Sequence, residues 1–306
     1  MLFEIIMPIA KQDYEIAAKN IPQLLCCLEP KRITIIACDE VGRSLANDFS
    51  ESDNIRYINE NDVFNGMTFT NIKSYLKKYN SESRTGWYFQ QFLKMGYAFL
   101  CDEEYYMSWD ADTIPIKKCN MFINERPVFD TKTEYHKPYF PTIKKLLGID
   151  KQIARSYISE HMIFKKSIML ELINKIQYYK RNDWFYNILE AIEESDLMNS
   201  GFSEFETYGT YVEKYYKGLY AYRDINTIRN GKCLFKGLPA EEVLEWLSKD
   251  YYAISFEKDD KEILSGALAE NNFIRTLFPP RVYIQKCSHH LKAALLIEKM
   301  LSKNQK

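Results

Sequence analysis

No run of apolar residues in this 306-residue sequence reaches the ~18 that a membrane-spanning helix requires, so no such helix is expected. The segment Met1–Met7 is apolar but has neither a basic stretch before it nor a small-residue cleavage site after it, which argues against a secretory signal. Charge of one sign is lacking too. The 41 Lys and Arg residues face 42 Asp and Glu, so no global field draws the chain to nucleic acid, and an anionic ligand must be held by local groups. None of the seven cysteines (Cys26, Cys27, Cys38, Cys101, Cys119, Cys233 and Cys287) forms a Cys-x-x-Cys pair, and Cys26, Cys38 and Cys101 fall in apolar runs. That is the pattern of reduced, buried thiols in a cytoplasmic protein rather than of a disulfide or zinc framework. There is no internal repeat, low-complexity tract or flexible linker, and histidine is confined to His136, His161, His289 and His290.

What the sequence does have is 46% hydrophobic residues and 15% aromatics, with 23 tyrosines. The first figure is enough for one large α/β domain. The second provides amphipathic filler at element edges or stacking surfaces for a base or a sugar ring. Residues 1 to 120 alternate strand and helix signals, which predicts a parallel-type sheet with crossover helices. Strands are expected at Leu2–Ile9, Arg32–Ala37 and Arg56–Ile58, and in the run that stops at Asp110. Helices are expected at Tyr14–Leu28, Arg43–Phe49, Thr68–Tyr79 and Trp87–Phe99. Beyond Pro115, Glu134–Pro141 reads as an ordered loop and Tyr157–Phe164 as a strand. Further helices are expected at Ser167–Tyr179, Trp184–Ile192 and Phe205–Lys217, and near 240–249, 259–272 and 288–302.

The most informative segment is Tyr105-Tyr106-Met107-Ser108-Trp109-Asp110-Ala111-Asp112, a buried-strand pattern that ends on two carboxylates one residue apart. A hard divalent cation such as Mg²⁺ or Mn²⁺ takes one or two protein carboxylates and fills its shell with substrate phosphates and water. Among 16 aspartates roughly one such spacing arises by chance, so the strand end carries the meaning. In open α/β sheets ligands bind beyond the carboxyl ends of the strands. Pro8-Ile9, Asp39-Glu40 and Asp110–Asp112 all fall at such ends. Asp39 could accept from a base N–H or a ribose hydroxyl. Gln90 and Lys94, one helical turn apart, could face the diphosphate or the base.

In their order along residues 1–216, several segments resemble the bacterial GT-A fold glycosyltransferases that build capsule and lipopolysaccharide sugars. They are Met7-Pro8-Ile9, the helix Gly86–Lys94, Trp109-Asp110-Ala111-Asp112, Ser159-Glu160-His161-Met162 and Ser203–Gly209. The resemblance implies a GT-A-like (Rossmann-like) mixed sheet flanked by helices. It implies a nucleotide-sugar-binding half at 1–120, to which Pro8, Ile9, Asp39, Gln90, Lys94, Trp109 and Asp110 belong, and a helix-rich acceptor-binding half at 121–306. It further implies that Asp110 and Asp112 hold Mn²⁺ or Mg²⁺ against a nucleoside diphosphate sugar, UDP favoured, and that the sugar passes to a saccharide or lipid-linked acceptor. His289 resembles the late histidine that completes the metal site in some such enzymes, and equally fits a helix start.

On the acceptor side, a carboxylate or a neutral imidazole takes the proton of an attacking hydroxyl best at neutral pH. His161 and Glu160 are adjacent candidates that strand alternation sends to opposite faces. Ser203-x-x-Glu206 has capping-box spacing, which gives Glu206 a structural reason to be there and leaves Glu204 as the catalytic candidate. The helix expected over Leu291–Leu301, apolar over much of its circumference and ending in a basic tail, either docks on the domain or meets an anionic inner membrane leaflet. One rival reading treats Asp110 as the nucleophile of a haloacid dehalogenase-like phosphatase with Asp112 as acid/base, although that motif normally lies on the first strand. A sugar nucleotidyltransferase lacks support because no glycine-rich phosphate loop follows the first strand. A non-catalytic carbohydrate- or nucleotide-binding protein would keep the aromatics without turnover.

Overall fold

The computed structural model describes residues 1–235, 237–257 and 267–287. Its first half runs β1 (Phe3–Pro8), α1 (Tyr14–Leu28), β2 (Arg32–Ala37), α2 (Asp39–Asp48), β3 (Ile55–Asn59), α3 (Phe69–Lys77), α4 (Thr85–Gly96) and β4 (Tyr105–Trp109). There follow β5 (Thr113–Pro115), β6 (Phe122–Ile123), β7 (Arg126–Asp130), α5 (Tyr139–Leu147), β8 (His161–Lys165), α6 (Lys166–Gln177), α7 (Trp184–Ala191), α8 (Glu194–Leu197), α9 (Glu204–Tyr215) and β9 (Ala221–Arg223). The described chain ends with β10 (Thr227–Ile228), α10 (Gly231–Leu234), α11 (Glu241–Leu247), β11 (Ala253–Ser255), α12 (Ala267–Glu270) and α13 (Asn272–Leu277). None of the described helices is long and apolar enough to cross a membrane.

Two compact units result. The first comprises Met1–Ala111 and Asn120–Asp224, the second Asp112–Cys119 and the residues from Ile225 onward. The first unit is built on a five-stranded sheet of order β3-β2-β1-β4-β8. β1 is parallel to β2 and β4, β2 is parallel to β3, and β8 is antiparallel to β4. This is the mixed α/β sheet flanked by helices that the alternation of signals predicts. Every residue of β1 is buried, as a central strand covered on both faces requires, and its sequence is correspondingly near-continuously apolar. The one acid in it, Glu4, is paired with Arg32 at 2.6 Å and receives the Tyr97 hydroxyl. A small sheet β6-β7-β9 belongs to the same unit. The second unit has its own sheet, β10-β11-β5, in which Thr113 Oγ1 and Ser255 Oγ meet at 2.8 Å.

Helix α2 begins at Asp39, four residues ahead of the expected Arg43, because strand β2 turns directly into it. Asp39 and Glu40 occupy its first turn, where carboxylates favour the positive end of the helix dipole. Part of the expected loop 134–141 is the start of α5. Pro141 is tolerated there because the first-turn N–H groups have no partner within the helix. The expected strand Tyr157–Phe164 begins only at His161, since the preceding residues are taken up by side chains. Glu206 accepts from Ser156 Oγ and from Tyr157 N at 2.9 Å, Ser156 Oγ accepts from Ile158 N at 3.0 Å, and Ser159 Oγ donates to the His161 carbonyl. Local bonds of this kind compete with a ladder. All seven cysteines are free, but Cys26 is exposed while its neighbour Cys27 is buried, as adjacent positions on a helix should be. The expected helix near 288–302 and most of that near 259–272 lie outside the described residues.

Helix α9 crosses Tyr157 so closely that a Cβ at Gly209 would lie 2.4 Å from its ring. Gly209→Ala should therefore cost about 1–3 kcal/mol through overpacking. Equilibrium urea unfolding checks this, and an unchanged midpoint would contradict the packing.

Candidate active site

The parallel register aligns the carboxyl ends of β1, β2, β3 and β4 along one edge of the first unit's sheet. Antiparallel β8 starts at that edge, with His161 opposite Trp109. The strand order reverses between β1 and β4, the switch point at which open α/β sheets form their ligand crevice. Pro8, Ile9, Asp39 and Asp110 reach this edge as the sequence predicts.

The structure brings Lys94, Asp110 and Glu204 into one cluster. Lys94 is 3% exposed, and its Nζ lies 2.9 Å from Asp110 Oδ1 and 3.0 Å from Glu204 Oε1. Tyr106 donates to the Lys94 carbonyl at 3.0 Å and the ammonium also sits 4.6 Å from the Phe205 ring centroid, a cation–π contact. Burial on its own would lower the Lys94 pKa, but Asp110 and Glu204 outweigh it and raise the value. Burial raises the pKa of Glu204, with Lys94 working against it. Glu204 opens α9, where its backbone N–H donates to Gln91 Oε1 at 3.3 Å. Gln91 thus holds the backbone of Glu204 while Lys94 holds its carboxylate, and Gln90 is half-buried one position away. The spacing Trp87, Gln91, Lys94 is i, i+4, i+7, one face of α4, and would have pointed to Gln91.

His161 belongs to a second cluster. Its ring stacks on Trp109 with centroids 4.6 Å apart, and its Nε2 lies 2.9 Å from Asp130 Oδ2. Arg223 donates to both oxygens of Asp130 at 2.7 Å. Asp130 is fully buried; burial would raise its pKa, yet Arg223 and His161 bring it down to about 2. Asp110 contacts Lys94 while Trp109 contacts His161, and successive residues of a strand face opposite sides, so the two clusters flank opposite faces of the β4 end. Glu160 ties them at the backbone, since its carbonyl accepts from Asp110 N at 3.0 Å, and its buried carboxylate lies 4.0 Å from Lys132 Nζ. Glu206 behaves as half of the predicted capping box. Its N–H donates to Ser203 Oγ at 3.2 Å, but its carboxylate turns to Ser156, Tyr157 and Lys151 instead of back to the cap.

Asp39 accepts from Asn59 at 2.6 Å and from the Tyr57 hydroxyl at 3.2 Å through Oδ1. Burial, and then this carboxylate, push the Tyr57 pKa up to about 12. Asp112 opens the second unit and is half-buried, its carbonyl accepting from Phe256 N at 2.9 Å. His289 lies outside the described residues. Asn20, Asp130 and Arg223 were not legible as site residues, although Asn20 stands on the buried stripe Ala17, Ile21, Leu24 and Leu28 of α1. There it donates to the Ala111 carbonyl at 3.3 Å.

Buried polar atoms without a hydrogen-bond partner occur around this strand end: Asn20 Oδ1, Ser108 Oγ and His161 Nδ1. Such atoms are normally satisfied by protein, water or ligand. Tyr139, at the start of α5, has its pKa raised by burial and further by Glu204 and Glu206.

The chain belongs to DUF6492, a family of unknown function whose model matches residues 33–235. The comparison with curated proteins finds no match. Among solved structures, it is similar to mouse xyloside xylosyltransferase 1, at 6% identity and a TM-score of 0.45 over 85% of this chain and 99% of that one. It is similar to the galactosyltransferase LgtC, solved with donor and acceptor sugar analogues, at 11% identity and a TM-score of 0.43 over 84% of this chain and 91% of that one. A third is the mannosyltransferase Ktr4p from S. cerevisiae, at 12% identity and a TM-score of 0.39 over 63% and 67%.

Removing the shared cation leaves the buried Glu204 carboxylate uncompensated beside the partly exposed Asp110. Lys94→Met should destabilise the fold by about 3–5 kcal/mol at neutral pH, the usual cost of an orphaned buried charge. A carboxyl whose folded pKa is raised contributes its stability at low pH and loses it as pH rises through the folded value. The deficit of Lys94→Met should thus shrink from pH 8 to pH 5 and be partly relieved by Glu204→Gln. Denaturant unfolding across that range checks it, and a pH-independent deficit would refute the coupling.

Proposed function

We propose that this protein is a metal-dependent glycosyltransferase. It would move a sugar from a nucleoside diphosphate sugar, with UDP favoured, to a saccharide or lipid-linked acceptor in bacterial surface polysaccharide synthesis. The observation that carries the reading is Asp110 at the carboxyl end of β4, beside the sheet's switch point and joined through buried Lys94 to Glu204. The order of motifs along residues 1–216 supports it.

The donor chemistry suits Mn²⁺ or Mg²⁺. Asp110 offers hard oxygens on a side chain 31% exposed, with Oδ1 engaged by Lys94. Asp112, one residue on, is the second carboxylate by sequence spacing, and His289 is a further ligand by resemblance. Among the described residues no three His, Cys, Asp or Glu side chains gather as a metal-binding group. Such cations take few protein ligands when phosphate and water fill the remaining positions. When bound, the cation supplies positive charge for the diphosphate leaving group.

The chain's own groups do the rest. Asp39, held by Tyr57 and Asn59, presents an acceptor oxygen for a base N–H or a ribose hydroxyl. Pro8, Ile9 and Trp109 shape the strand-end walls, and Gln90 and Lys94 face the donor from α4. Lys94 also fixes the carboxylate of Asp110. Glu204 is the group assigned to take the acceptor hydroxyl's proton; burial raises its proton affinity, with Lys94 working against it. His161 and Glu160 are the other candidates, on the opposite side of the strand end and at its backbone. A cytoplasmic setting, with membrane contact through the run 291–301 for a lipid-linked acceptor, belongs to the same reading; that run lies outside the described residues.

Calorimetric titration of UDP, GDP and CMP into the wild type and Asp112→Ala, with Mn²⁺ and with EDTA, tests this directly. Metal-dependent binding of one diphosphate, lost in the variant, is expected, together with a fall in transfer rate of about a hundredfold or more. Unchanged turnover in Asp112→Ala would sink the metal assignment. Absence of nucleotide binding under every condition would sink the transferase reading.

A further inference from the structure

Helix α4 carries more than the charged cluster. Trp87 lies on the same face as Gln91 and Lys94, one and two turns back towards the helix start. Its indole ring runs parallel to Tyr139, with 10° between the planes and 6.4 Å between centroids. That separation is wider than the 3.8 Å of the closely stacked Phe129 and Tyr220, so the two rings are not in close face-to-face contact. Trp87 is half-buried and Tyr139 is 9% exposed. The aromatic surface continues outward through His136, whose ring centroid is 4.4 Å from that of Tyr139, to the stacked pair Tyr135 and Phe140. Tyr135 is 66% exposed. Lys151 lies over Phe140 at 4.7 Å and gives this surface a polar rim.

The fully buried tyrosines behave differently, although the indole N–H of buried Trp184 also lacks a partner. A buried Tyr or Trp usually finds a partner for its O–H or N–H, as the Tyr88 hydroxyl does at the Leu197 carbonyl, 2.9 Å away. Among the described residues, the Trp87 indole N–H and the Tyr139 hydroxyl find no acceptor, and neither is sealed from solvent. A half-buried indole with a free N–H, backed by the nearly buried Tyr139 ring and its free hydroxyl, offers what a pyranose needs. Its C–H face packs on an aromatic surface and its hydroxyl rim takes the hydrogen bonds. A purely apolar ligand would leave both donors unpaired, at a cost.

We propose that Trp87 and Tyr139 form a stacking platform for a pyranose ring of the saccharide acceptor, on the α4 face that carries Gln91 and Lys94. The assignment of the ring to an acceptor rests on the transferase reading above; the binding of a pyranose does not. Trp87 links the two regions, being both the partner of Tyr139 and a member of the face that reaches Glu204 through Gln91 and Lys94.

The test is an array of pyranosyl oligosaccharides probed with the wild type, Trp87→Ala, Trp87→Phe and Tyr139→Phe, in the presence of UDP and Mn²⁺. Nucleotide titration of each variant serves as the control for folding. Saccharide capture by the wild type should weaken about tenfold in Trp87→Ala and severalfold in Tyr139→Phe, and largely survive in Trp87→Phe. Nucleotide affinity should be the same in all four. Capture undiminished in a folded Trp87→Ala would overturn the platform, as would a wild type that captures no saccharide at all. Capture that depends on Trp87 in a protein binding no nucleotide would support the platform and overturn the transferase reading instead.

Discussion

An ammonium group buried to 3% exposure between two carboxylates is the constraint on which the sheet edge depends. A charge in that setting is tolerated only if it is paired and well bonded, so Lys94 dictates where three chain segments must be. The β4 end must deliver Asp110, α9 must begin at Glu204, and α4 must keep a face turned towards both. The supporting bonds show how tightly this is specified. Tyr106 holds the Lys94 carbonyl and Gln91 holds the first N–H of α9. A change at any of these residues acts on the others through the same shared cation.

The strand end is braced from its other side by a second charge set with the opposite composition. There one carboxylate, Asp130, serves a guanidinium and an imidazole, and the stack of His161 on Trp109 transmits that order to the residue preceding Asp110. Backbone bonds complete the brace, with Glu160 holding the Asp110 N–H and Asn20 holding the Ala111 carbonyl. The segment from Trp109 to Ala111 therefore has little freedom, although it is the end of a strand, where chains are commonly loose. Preorganisation of this kind is what a site needs when the work is positioning and charge stabilisation.

Much of this was legible in the sequence. The central strands announce themselves as short apolar runs, and α1 and β2 fall at their predicted ends because Glu29 takes a left-handed conformation after α1 and Cys38 stays extended before α2. Asp110, Lys94 and Glu204 could each be nominated, from a strand end, a helical turn and a capping box, but no sequence rule says that a lysine at residue 94 and a glutamate at residue 204 share a contact. The failures have a common cause. Tyr157–Glu160 has strand-like composition but gives its backbone and side-chain bonds to Glu206 and Ser159, and the Pro-rich run before Thr142 becomes a helix start. In both places distant or local hydrogen bonds override the pattern of apolar residues. Asp130 and Arg223 stood out in no pattern at all, because a buried ion pair between two short strands has no periodicity.

The charge count at the Lys94 cluster bears on the proposed chemistry without reference to any other protein. Two carboxylates around one ammonium leave an excess of one negative charge if all three are ionised. The fold meets part of that excess by raising the proton affinity of Glu204 through burial. The remainder falls on Asp110, the more exposed member, at the edge where the strand order reverses. A second positive charge at that edge would relieve the excess, and relief at Asp110 would leave Lys94 freer to serve Glu204. The two carboxylates are thus not interchangeable: one is partly exposed at the strand end, the other buried against the lysine they share.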